Sequence, residues 1–131
     1  MPDSPENWVK AAVEAAAPGY LAFPLTAPEG QAPPFVTYGL DSTERPEQTS
    51  GLTGFADGQF VLQVYADSYS AVVAASNAIR AAMHNFSGTA SGAIIDRTYV
   101  SGPVDRDYVT LEGRDRPTFV RELTIDIRWR E

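Results

Sequence analysis

The chain has 131 residues, 44% of them hydrophobic, which is enough for one domain with a single buried core. It has no cysteine, which excludes disulfide frameworks and thiol chemistry, and its one histidine removes the usual zinc sites. Seventeen acidic against ten basic residues give a net charge of -7, which argues against tight nucleic-acid binding because phosphate neutralisation needs clustered cations.

The start, MPDSPENW, has neither the basic nor the apolar run of a signal peptide, and no stretch approaches the ~20 apolar residues of a bilayer span, so an intracellular chain without membrane contact is expected. Ser4-Pro5-Glu6 is a helix start, with a capping hydroxyl, proline in the first turn and an acid at the positive end of the dipole. Trp8, Val9, Ala12, Val13 and Ala16 give that helix an apolar stripe to about Ala17, and Pro18-Gly19 stops it. YLAFPL, residues 20 to 25, predicts a short strand closed by proline. TAPEGQAPP, residues 26 to 34, is a crossing segment, because its three prolines forbid regular structure.

PFVTYGL predicts a second strand from Phe35. Residues 41 to 59 show no apolar periodicity and predict a long loop or the tip of a protruding hairpin, a kind of connection more often functional than idle. FVLQVYAD, residues 60 to 67, alternates cleanly as a strand, with Phe60, Leu62, Val64 and Ala66 on one face. Asp67 and Ser68 offer a cap for a second helix. Its stripe is Val72, Ala75, Ser76, Ile79, Ala82, Met83 and Phe86, and Gly88 is the expected left-handed stop. Residues 92 to 104 predict a strand ending at Gly102-Pro103, followed by a polar connection over about 102 to 118.

RELTIDIRWRE closes the chain with the strictest alternation in it. Leu123, Ile125, Ile127 and Trp129 sort onto one face, and Thr124, Asp126, Arg128 and Arg130 onto the other. The expected architecture is a single α+β domain over residues 1–131, a mainly antiparallel sheet with two helices packed on one face and sequence neighbours paired as hairpins.

No catalytic constellation emerges. His84, in the last turn of the second helix, has no second histidine, cysteine or serine motif near it and reads as a capping or surface residue. Asp105-Arg106-Asp107 resembles the acid pair of sugar-nucleotide enzymes but lacks a nucleotide fold around it, so it reads as a solvated loop. Glu112 and Asp115 are neutralised by Arg114 and Arg116, and the glycines at 88 and 92 lack the lysine and spacing of a phosphate loop. Neither an enzyme nor any cofactor is expected. The basic residues are uneven, however: Arg97, Arg106, Arg114, Arg116, Arg121, Arg128 and Arg130 all fall late, behind an acidic first half, which suits pairing between successive copies.

The order PPFVTYGL, then FVLQVYADSYSAVVAASNAIRAAMHNFSGT, then FVRELTIDIRWRE resembles the tail-completion family of long-tailed phages and gene transfer agents, similar in fold to lambda-like tail terminators. The likeness spans about residues 20 to 131, and its most specific part is the strand running into an alanine-rich helix that ends Phe86 to Thr89. It implies a ring of six copies on the head-proximal end of the tail tube, made in the host cytoplasm and carried in the virion. Such a ring stops tube growth and joins the tail to the neck or connector proteins of the head, with DNA only passing through its lumen. The segments 41–59 and 102–117 look longer than the family's usual.

Candidate contact residues follow from the residues left over by the fold. Arg45, Glu47, Leu52 and Phe55 lie in the first long segment, Arg106 and Asp107 in the second, and Glu122, Asp126, Arg128 and Arg130 on the polar side of the last strand. The competing readings are a neck or head-closure protein of the same virion and a small-ligand-binding α+β domain with its long loops as lids.

Overall fold

The computed structural model describes residues 5–28, 30–44, 47–48, 51–52, 55–109 and 118–130, with the backbone only for 42–44, 47–48, 51–52, 55 and 107–109. In chain order the elements are α1 (Glu6–Ala16), β1 (Leu21–Pro24), β2 (Phe35–Glu44), β3 (Glu47–Gln48), β4 (Gly51–Leu52) and β5 (Phe55–Ala66). Then come α2 (Tyr69–Met83), β6 (Gly88–Ala90), β7 (Ala93–Val109) and β8 (Thr118–Arg130). Six strands form one sheet in the order β1-β2-β5-β8-β7-β6, while β3 and β4 pair only with each other. The fold is therefore α+β, with both helices on one face of a mostly antiparallel sheet.

Two pairings depart from simple hairpins. β1 and β2 run parallel, Leu21 opposite Phe35 through Pro24 opposite Tyr38. Parallel neighbours need a crossover, and the proline-rich residues 25–34 carry the chain out and back where a tight turn would have reversed it. β8 inserts between β5 and β7, so the last strand is a central one, paired along nearly its whole length on both sides.

The core lies between the helices and one sheet face. β5 contributes Phe60, Leu62, Val64 and Ala66, and β8 contributes Leu123, Ile125, Ile127 and Trp129, all buried. Helix α1 sets Trp8, Val9 and Val13 on it, and α2 sets Val72, Ala75, Ile79 and Met83. Each large apolar side chain so buried is worth about 1.5–3 kcal/mol. Trp8 also stacks on Phe86 at 5.0 Å, which ties α1 to the chain just past α2.

The helix ends show which local signals act. Ser68 caps α2, its Oγ accepting the Ala71 N–H at 3.2 Å. In α1 the capping position is Pro5, without a side-chain hydrogen bond; Ser4 lies outside the described residues. The stop of α2 is not Gly88, which sits in β6. The helix ends at Met83, and Asn85 takes the left-handed turn at φ 57°. Thr98 of β7 finishes it from the sheet side: its hydroxyl donates to the Met83 carbonyl and accepts the Phe86 N–H at 2.9 Å. Ala82, expected in the buried stripe, is exposed.

The described residues of both long polar segments are strand. Asp41–Glu44 continues β2 and Phe55–Gln59 begins β5, with Glu44 opposite Asp57, so the loop alternative gives way to a hairpin. Phe55 belongs to the six-stranded sheet, opposite Arg130. Likewise β7 does not end at Gly102-Pro103. It absorbs them in a bulge between Ser101 and Val104 and continues to Val109. A bulge suits this pair, because proline offers no N–H to a ladder and Gly102 takes φ 95° freely.

Gly58 explains part of the misleading pattern in β5. It occupies a core-facing position, yet a Cβ there would lie 2.7 Å from Cζ3 of Trp129. The indole of the neighbouring strand fills the space that an apolar side chain at 58 would have marked.

Candidate functional site

The sheet face turned away from the helices is the surface left for function. Alternation brings to it Asp57, Gln59 and Gln63 of β5, Glu122, Thr124, Asp126 and Arg128 of β8, and Arg97 and Tyr99 of β7. Cross-strand register then arranges these side chains in rows, where facing residues interact. In one row Arg128 stands between Asp57 and Arg97; in the next, Asp126 stands between Gln59 and Tyr99.

Most of these charges are satisfied within the subunit. Arg128 grips Asp57 with both prongs, Nε to Oδ1 at 2.8 Å and Nη2 to Oδ2 at 3.0 Å. Gln59 donates to Asp126 at 3.1 Å. Glu122 accepts from Arg106 at 2.7 Å and from Gln63 at 3.3 Å, and Gln63 in turn accepts the Tyr65 hydroxyl at 2.8 Å. At the far end the face turns aromatic, with Phe35 stacked on Tyr65 at 4.5 Å and edge-on to Phe23.

A second cluster fastens β7 and β8 to α2. Asp105 accepts from Arg121 at 2.6 Å and from the Tyr69 hydroxyl at 2.8 Å, while Arg121 also reaches Ser76 at 3.3 Å. Asp105 and Arg106 are thus strand residues in two separate ion pairs, where the sequence suggested a solvated loop. His84 accepts the Val100 N–H on Nδ1 at 3.0 Å and meets Tyr99 edge-on. Its work is to satisfy the backbone of β7.

An open cleft of about 610 Å³ runs across this face from Asp57 and Gln59 of β5, over Asp126 and Arg128 of β8, to Arg97 and Tyr99 of β7 and Asn85 just past α2. Among the described residues there is no group of three or more His, Asp or Glu side chains placed to hold a metal ion, and no helix is long and apolar enough to cross a membrane.

Of the predicted contact residues, the structure brings Arg106, Glu122, Asp126 and Arg128 onto this face. Arg130 ends β8, exposed. Glu47 and Leu52 face each other across the β3–β4 ladder, Asp107 lies on β7, and Arg45 lies outside the described residues. Sequence reasoning missed Asp57, Asn85 and Tyr99, and gave Arg97 only as one of the late arginines. The polar positions of β5 read backwards from Phe60 would have found Asp57, and those of β7 would have found Arg97 and Tyr99.

Four carboxyls sit below their ordinary range: Glu14 through the Ala22 N–H, Asp57 through Arg128, Asp105 through Arg121 and Glu122 through Arg106. A lowered folded pKa means that the unfolded chain binds more protons near the ordinary values of 3.8 and 4.5. The stability they add is therefore complete above those values and lost as pH falls through the folded ones. Thermal melts should be flat in this contribution from pH 7 to about 5 and drop below about 4.5. Replacing Asp57 by Asn should blunt the acid drop, and an unchanged acid limb would show that the pair is open in solution.

The described residues thus form a helix pair backed by one long-stranded sheet, with a face of cross-strand ion pairs and hydrogen bonds turned away from the helices. Residues 9–130 match the family described as tail completion protein gp17, and the chain belongs to that family. It is a structural protein of the bacteriophage tail. In fold it is similar to a chain from the virion of a native gene transfer agent particle, with 18% identity and a TM-score of 0.62 over 94% of this chain and 84% of that one. No curated protein sequence matches it.

Proposed function

We propose that six copies of this chain close into a ring on the head-proximal end of a phage tail tube, ending tube growth and presenting a surface to the neck or connector proteins of the head. Family membership carries this reading, and the likeness to a chain of a gene transfer agent virion supports the fold it needs. The segment 41–59, with the candidate residues Arg45, Glu47, Leu52 and Phe55, then serves the tube or the neck. The polar face with Arg106, Glu122, Asp126 and Arg128, together with Asp107 of β7 and Arg130 at the end of β8, serves contacts around the ring and its lumen. A net charge of -7 lets DNA slide through and not adhere, since its phosphates meet a protein of their own sign.

The test is negative-stain microscopy of the purified protein mixed with tail tubes. Six-fold rings capping one end of tubes of uniform length are expected. Binding to heads or portals with tubes left bare would move the chain to the neck, and no binding to either would overturn the reading.

A further inference from the structure

The sheet is open at both sides, and its borders differ from its middle. Six of the seven exposed large apolar side chains among the described residues lie along the borders: Leu21, Leu25 and Leu40 by β1 and β2, and Ile94, Tyr99 and Val104 on β7. Scattered exposed apolar residues are ordinary, but their segregation to two opposite borders is not.

Neither border is completed by the subunit's own described strands. β1 covers β2 only from Phe35 to Tyr38, so among the described residues β2 has no outer strand from Gly39 to Glu44. β6 covers β7 only from Ala93 to Ile95, and the end of α2 takes over at Thr98 and Val100. From Ser101 onward no described strand covers the outer edge of β7. Open edges invite pairing with another chain.

Each border carries an exposed charge of its own, Asp41 on β2 and Arg97 on β7, where the exposed Asp96 stands beside it. Asp41 is exposed and is the extra residue of a bulge between Leu40 and Ser42, a device that re-aims a side chain away from the ladder. Arg97 is exposed and lines the cleft opposite Arg128, whose own charge is taken by Asp57. Two arginines facing across strands repel unless an anion joins them, and Asp57, which also attracts Arg97, is already held by both prongs of Arg128. Neither Asp41 nor Arg97 has an ion pair or side-chain hydrogen bond among the described residues. They are also level: Ser42, Gln59, Asp126 and Tyr99 form one row across the sheet, and the next ends in Arg97. Leu21 shares a row with Phe35, Tyr65, Val120 and Arg106, close to the level of Val104.

We propose that the β7 end of the cleft receives the Asp41 bulge of a neighbouring copy, with Asp41 against Arg97 and Leu21 covering Val104. The inference rests on the ring reading and names its seam. The contact is head-to-tail, the β2 border of one copy against the β7 border of the next, and such contacts close into rings by rotation.

Arg97→Glu and Asp41→Arg are each expected to weaken self-association about tenfold or more, since each sets like charges together, and the combined variant is expected to restore it. Circular dichroism should stay unchanged, because neither side chain has an ion pair or hydrogen bond among the described residues. The chain has no cysteine of its own, so Leu21→Cys combined with Val104→Cys gives a second readout. Oxidation should yield a ladder of covalent oligomers in the double variant and not in either single one. Normal rings with silent charge reversals and no ladder would place the seam elsewhere and leave the ring reading standing. A native protein that never self-associates, free or on tubes, would overturn both.

Discussion

Trp129→Ala is expected to cost about 3–5 kcal/mol in chemical denaturation, the largest single-residue loss in the chain. Trp129 is 5% exposed although it stands only one residue from the end of β8. It faces Ala56 on β5 and Ile95 on β7, both buried, so its removal opens a cavity between two strand pairs at once. The adjoining Gly58 supplies an internal check. Gly58→Ala alone drives a methyl to within 2.7 Å of the indole and should cost about 1–3 kcal/mol by overpacking. Joined to Trp129→Ala, that methyl enters the vacated space, so the double variant should be more stable than the sum of the singles predicts. A loss below about 1 kcal/mol for Trp129→Ala would mean that the indole is solvated.

The same contact explains why some of the fold was legible and some was not. Residues 60–66 and 121–130 were legible because each core position carries its own apolar side chain, so a period of two is visible along a single strand. At 57–59 the core position is Gly58, and the group that fills it comes from Trp129, over seventy positions later. Nothing local marks that stretch as strand. The Gly102-Pro103 bulge misleads in the same way, since a pair that usually ends a strand here only offsets its register. The parallel return of β2 along β1 and the stop of α2 at Asn85, gripped by Thr98, also depend on partners distant in sequence. The candidate site divides likewise. Alternation places Glu122, Asp126 and Arg128 on one face, but that Asp57 answers Arg128 and Arg106 answers Glu122 follows only from register across the sheet.

Replacing residues 46–53 by a short Gly-Ser turn is expected to shift the melting temperature by less than about 4 °C while abolishing assembly. The β3–β4 ladder joins Glu47 to Leu52 and Gln48 to Gly51 and pairs with no strand of the main sheet. Two-stranded pieces of this size add little stability of their own, and loop-closure entropy changes only with the logarithm of length. A hairpin end carried at so little benefit to the fold is expected to serve a contact outside the subunit. The deletion must stop short of Phe55 and Ala56, because Ala56 is fully buried opposite Trp129 and Phe55 opens the pairing of β5 with β8. Excising 44–56 is therefore the contrasting variant, expected to melt clearly lower and to accumulate poorly. In particles made with the shorter deletion, heads and tails should be present but unjoined, counted by microscopy. Normal yields of joined particles would show that this end of the hairpin has no partner. A melt as low as that of the longer excision would instead assign residues 46–53 to the folded core.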